Sequence, residues 1–182
     1  MMEVKTMSEK KHYVDNEKFF NAMVDWKTEY KESVDAGDPK PPVTEYIGDC
    51  FLKISEKLSH RPNFVNYPYR DEMVSDGVEN CLMYAHNFDP EKSKNPFSYF
   101  TQMIYYAFLR RIEKEKKQSY VKFKLMEEND DGTFSKWFKE NYFEKDASKK
   151  DVAEFFSLSE KDLEGFGKTK KKKTKDANSD NK

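Results

Sequence analysis

Phe97, Tyr99, Phe100, Tyr105, Tyr106 and Phe108 place six rings within twelve residues, and a cluster of bases follows from Arg110 to Lys124. Rings, amides and cations side by side suit one chemistry well, the holding of nucleic acid. An exposed ring stacks on an unpaired base at roughly 1–3 kcal/mol. An amide reads a base edge, and Lys or Arg neutralises phosphate. The rest of the chain offers no rival constellation. Its three histidines, His12, His60 and His86, are scattered without metal-ligand spacing, and its two cysteines, Cys50 and Cys81, have no CxxC partner. Asp130 and Asp131 fall in a turn-like acidic break, and no Ser/His/Asp or Cys/His arrangement or Gly-rich phosphate loop occurs. The expectation is a binding protein with no catalytic site, metal or cofactor.

Which of these side chains face outward depends on the helix that carries them. At about 3.6 residues per turn, Phe97, Phe100, Ile104, Phe108 and Ile112 share one apolar stripe, with Ala107 and Arg111 flanking it. A second stripe holds Tyr99, Met103, Tyr106 and Arg110, with Gln102 and Glu113 beside it. The first stripe suits a core and the second suits bases. Between residues 110 and 124 seven bases stand against two acids, so that Arg110, Arg111 and Lys114 are placed to meet phosphate. The same pattern fits a helix whose second stripe lies under a neighbour and whose bases form a solvated face. Periodicity alone does not choose between the two.

The surrounding elements read as helices. Phe19, Met23, Trp26, Tyr30 and Val34 recur at steps of four and three from Asp15 onward, until "AGDPKPP" at 36–42 stops the helix. A second helix from about Thr44 carries Ile47, Cys50, Phe51, Ile54 and Leu58 on one face. After the break "SHRPNFVNYP", a third runs from Tyr69 to Asn87 with Val74, Val78, Cys81, Leu82 and Ala85 facing inward. The fourth opens on Asn95 as cap and Pro96 at the first helical position. "YVKFKLM", 120–126, reads either as a short strand or as an extension of that helix. Beyond Glu127, Phe134, Trp137, Phe138 and Tyr142 show helical spacing. The expected fold class is all-α: a loose N-terminus at 1–14, a helical bundle at 15–126, a partly helical extension at 127–167, and a disordered Lys-rich tail at 168–182. The chain is 37% charged yet has a net charge of only -1, so any nucleic-acid surface is a local patch. No apolar run approaches the roughly 20 residues of a membrane span, and no signal-peptide segment opens the chain. Both features, with unpaired cysteines, suit a cytoplasm.

The stretch "EMVSDGVENCLMYAHNFDPEK", 72–92, followed by "FSYFT", resembles the second conserved region of bacterial sigma factors. Glu72, Met73, Val74, Ser75, Asp76, Gly77, Phe88, Asp89, Phe97 and Ser98 match that pattern in spacing. With "YVDNEKFF" and "DWKTEY" upstream, residues 13–117 look most like the late-transcription sigma factor of large tailed bacteriophages. The resemblance implies a sigma-type helical bundle that directs host RNA polymerase core to late promoters, recognising and melting an A/T-rich element in the host cytoplasm.

The same resemblance implies several surfaces. Glu72, Ser75, Asp76, Val78 and Leu82 would dock on the clamp helices of the polymerase's largest subunit. Tyr99, Phe100, Gln102, Met103, Tyr106, Arg110, Arg111 and Lys114 would meet promoter DNA. Phe155, Phe156 and Leu158 in "VAEFFSL" would engage a DNA-polymerase sliding clamp, with "DLEGF", 162–166, as a second candidate and a late-transcription coactivator as a further partner. Two other function classes fit the pattern: a polymerase-binding coactivator or anti-sigma adaptor, and a free single-strand binder.

Overall fold

In the computed structural model, which describes residues 12–128, 133–143 and 148–166, the described elements are helices and none is a strand. Local chemistry explains their ends. Helix α1 (Asn16–Ala36) starts where Asp15 Oδ1 accepts the N–H groups of Glu17 and Lys18, both at 3.1 Å. It stops at Gly37, whose φ of +76° lies in the left-handed region that glycine adopts without steric cost. There the Asp38 N–H closes back on the Ser33 carbonyl at 2.8 Å. Helix α2 (Glu45–Ser59) is capped by the Thr44 hydroxyl, and α3 (Arg70–Tyr84) tightens into a 3-10 turn, Ala85–Asn87. Helix α4 (Pro96–Glu128) has two of its N-terminal donors satisfied by side chains. Asn95 Oδ1 accepts from Ser98 N–H at 2.9 Å, as its capping role predicts, and Asn16 Oδ1 at the start of α1 accepts from Phe97 N–H at 3.2 Å. Residues 120–126 extend α4 and form no strand. Among the described residues no helix is long and apolar enough to cross a membrane.

The chain divides into two compact units, Met1–Arg111 and Ile112–Lys182, and the division falls inside α4. In the first unit Phe100 sits at the centre of a ring cluster, 4.5 Å from Phe51, 5.7 Å from Phe19 and 5.8 Å from Phe88 between centroids. All five residues on the predicted face of α2 are buried, as are Phe19, Met23 and Trp26 of α1. Trp26 donates its indole N–H to the Pro42 carbonyl at 3.0 Å, pinning the Pro-rich loop. Val34 is exposed, so the α1 stripe leaves the core before its last turn. The break between α2 and α3 contributes Phe64, which packs edge-on to Phe108 at 5.2 Å. Residues 12–14 are not loose: Val14 is buried, and the His12 ring lies against both Tyr13 and Phe97.

The inward face of α3 is rotated from the expected one. Met73, Gly77, Cys81 and Ala85 are buried, whereas Val74 and Val78 are half-buried and Leu82 is exposed. Gly77 sets that rotation. A β-carbon there would lie 2.7 Å from Ser55 Oγ, 2.9 Å from Ile104 and 3.1 Å from Phe108, so α3 approaches both α2 and α4 through it. The Ser55 hydroxyl donates to the Val74 carbonyl at 3.0 Å across the same crossing. Gly77→Ala should therefore destabilise the chain by up to about 2 kcal/mol. Overpacking costs about 1–3 kcal/mol and outweighs the roughly 1 kcal/mol gained in helix propensity. Urea unfolding checks this, and a stabilised variant would contradict it.

The second unit has its own core of Tyr120, Phe123 and Met126 from α4, Phe138 from α5 (Thr133–Tyr142), Val152 and Ala153 from α6 (Lys149–Phe155), and Leu158. Because these α4 residues bury against partners of the extension, the division lies upstream of the boundary at 126/127 expected from sequence. Helix α6 opens on a reciprocal Ser148–Asp151 capping box. It closes with Ser157 in the left-handed region at φ 56°, where Leu158 N–H reaches the Ala153 carbonyl at 2.9 Å. Residues 160–166 are again helical. Burial works against the Asp162 carboxylate, but hydrogen bonds from Lys116 and Ser159 hold its pKa below the usual value. Residues 1–11, Asp130, Asp131, the tail at 168–182 and the Phe134 side chain lie outside what is described.

Candidate functional site

The expected nucleic-acid face of α4 divides into residues that can meet a ligand and residues that cannot. Tyr106 is 51% exposed, and Gln102 and Arg110 are exposed near it on the same helix. Met103 is half-buried. Tyr99 is also half-buried, its ring edge-on to Phe88 at 5.3 Å and to Phe100 at 5.1 Å. Burial, and then the nearby Cys81, raises its phenol pKa, so it stays a neutral ring with a hydroxyl. Phe100 does not belong to the DNA-facing set. It is 0% exposed, because a residue four positions before Ile104 and eight before Phe108 falls on the core stripe with them. Phe97, assigned to that stripe, instead covers His12 and Tyr13 at the edge. Tyr105 leans on Phe64 at 5.6 Å. Lys114 is exposed on the part of α4 that belongs to the second unit.

Arg111 departs from its expected role as a phosphate contact. Its Nε and Nη2 donate to Asp76 Oδ2 and Oδ1 at 2.6 and 2.8 Å, a two-pronged ion pair with both side chains mostly covered. Asp76, expected to dock on a protein partner, is committed to the same pair. The two residues were assigned to different surfaces; in the fold they clamp α3 to α4. One turn along α3, Asn80 Oδ1 accepts from Arg110 Nη2 at 2.7 Å.

The rest of the expected protein-docking set does lie outward on α3. Glu72, Ser75 and Leu82 are exposed, and Val78 is half-buried. Ser75, Val78 and Leu82 line one shallow groove of about 640 Å³ together with Leu52, Val74, Glu79 and Met83. Leu52, Leu82 and Met83 are each at least 40% exposed there, so the groove is an apolar strip with one acid, Glu79, in its lining. Leu52 and Met83 were not legible as part of a site. Each follows a residue of an apolar stripe by one position, and only the pairing of α2 with α3 brings them together. Asn80 was missed too, although its place four residues after Asp76 was a usable signal.

Of the expected clamp-binding anchors, Leu158 is buried in the second unit's core and Phe156 is half-buried, so neither is a free anchor. Phe155 is 51% exposed and touches the exposed Tyr142 ring at 5.7 Å. In "DLEGF", Leu163 and Phe166 are half-buried against the same core. Burial pushes the thiol pKa of both Cys81 and Cys50 upward, leaving neither as a ready nucleophile. No protein-family model and no curated protein sequence matches this chain.

Proposed function

We propose that this chain is a sigma-type promoter-specificity subunit that carries no chemistry of its own. In this reading α3 docks on RNA polymerase core, and the outward stripe of α4 captures bases of an A/T-rich late-promoter element as the duplex opens. The observation that carries it is the exposure of Tyr106, Gln102 and Arg110 on one helix, beside an exposed apolar groove on the helix packed next to it. A ring, an amide and a guanidinium can hold an unpaired base and its phosphate. An apolar strip with Glu79 in its lining complements a partner helix that is apolar and carries a base. The chain works in the cytoplasm of an infected bacterium, and the sliding-clamp contact of "VAEFFSL" falls to Phe155.

Run-off transcription with host core polymerase on an A/T-rich promoter tests this directly, with and without the sliding clamp. Start-specific RNA that depends on the chain is the expected result; none with either mixture would remove the sigma reading. The groove also supports a second reading, a polymerase-binding coactivator or anti-sigma adaptor, which would bind core and start no transcript. Asp76 is unsuitable for testing docking, because reversing its charge sets two cations against each other. Leu82→Lys is the cleaner variant, since Leu82 is 46% exposed. It should abolish co-purification with core at an unchanged unfolding midpoint, and retained co-purification would move the docking site off α3.

A further inference from the structure

Arg110 and Arg111 are neighbours in sequence, but α3 treats them differently. Arg111 meets a carboxylate through two bonds, and its charge is matched by Asp76. Arg110 meets an amide oxygen through one bond at 2.7 Å, and its charge is left intact. The Asn80 amide is itself oriented, because its Nδ2 donates to the Asp76 carbonyl at 2.8 Å while its Oδ1 accepts from Arg110. A side-chain amide has one donor end and one acceptor end, so these two bonds determine which way it points. Asp76 is thus the common anchor: its carboxylate takes Arg111 and its carbonyl aligns Asn80. Arg110 follows Tyr106 by one helical turn, so its guanidinium and that exposed ring share a face.

We propose that Asn80 is the positioning residue of the strand-capturing face, holding the Arg110 guanidinium beside Tyr106 without neutralising it, while Asp76 withdraws Arg111 from phosphate. This rests on the sigma-type reading above and assigns the phosphate contact of that face to Arg110 alone. A neutral acceptor matters here. A carboxylate at position 80 would compete with phosphate for Arg110, whereas an apolar residue would let the long side chain wander.

The test measures anisotropy of a labelled A/T-rich single-stranded deoxyoligonucleotide over a salt series, using the full chain with and without core polymerase. Only the change that requires the chain is counted. Asn80→Asp is expected to weaken binding about tenfold at low salt and to flatten the salt slope by about 0.7, the share of one single-strand phosphate. Asn80→Ala should weaken binding roughly threefold with the slope unchanged, because the cation remains but is no longer held. Arg110→Ala should flatten the slope like Asn80→Asp, and Arg111→Lys should leave it unaltered. Wild-type affinity and slope in both Asn80 variants would overturn the proposal and leave the sigma reading standing. So would affinity losses that merely track a lowered unfolding midpoint. Absence of chain-dependent strand binding by the wild type, with or without core, would overturn the sigma reading and this proposal with it.

Discussion

Phe100→Ala is expected to lower stability by about 3–5 kcal/mol, the usual cost of truncating a buried phenylalanine to alanine. Phe100 is 0% exposed and touches the rings of Phe19, Phe51, Phe88 and Tyr99, so truncation opens a cavity shared by α1, α2, α3's exit and α4. Those neighbours come from four separate segments and cannot all collapse inward together. Urea unfolding of the full chain reads the loss, and Phe100→Leu should recover most of it because volume is largely kept. The result separates the two roles that sequence assigned to this ring. Near wild-type stability combined with lost promoter opening would put Phe100 back among the base-capturing residues.

Tyr106→Ala should do the reverse. With the ring 51% exposed, its removal should change stability by no more than about 0.5 kcal/mol. Losing one stacked base, worth roughly 1–3 kcal/mol, should reduce promoter opening about fivefold or more. Potassium-permanganate reactivity of unpaired thymines in the polymerase complex measures that opening, with core association checked in parallel. Equal reactivity in mutant and wild type would remove Tyr106 from the strand-capturing face. The pair of variants is informative together: one ring is enclosed in the bundle and the other, proposed to capture a base, is exposed, from positions six residues apart on α4.

Much of the helical framework was legible because it is written locally. The Asp15, Thr44 and Asn95 caps, Pro96 at the first helical position and the Gly37 stop each act on backbone groups within a few residues. The α2 face was read correctly because its five apolar residues fall on one narrow arc. The α3 face was not, since Met73, Val74, Gly77, Val78, Cys81 and Leu82 make two adjacent apolar stripes and periodicity cannot rank them. Gly77 ranks them: its missing side chain lets α2 and α4 close on that side, which turns Val78 and Leu82 outward. The residue stood in the motif from the start, but its reason lies in two other helices. The anchors of "VAEFFSL" were ambiguous for a related cause, because a short apolar run looks the same whether it fills its own core or a partner's groove.

Taken alone, the sequence determined an all-α chain, the principal helix starts and stops, and the presence of rings and bases together on α4, because helical period and capping are short-range properties. Tertiary structure decided which of those groups remain available. Arg111 is spent on an acid 35 residues away, Arg110 is held by an amide 30 residues away, and Leu158 is enclosed by helices of its own unit. The physical reason is one of range: a side chain's exposure and charge pairing depend on what packs across from it, and no pattern along a single helix contains that neighbour.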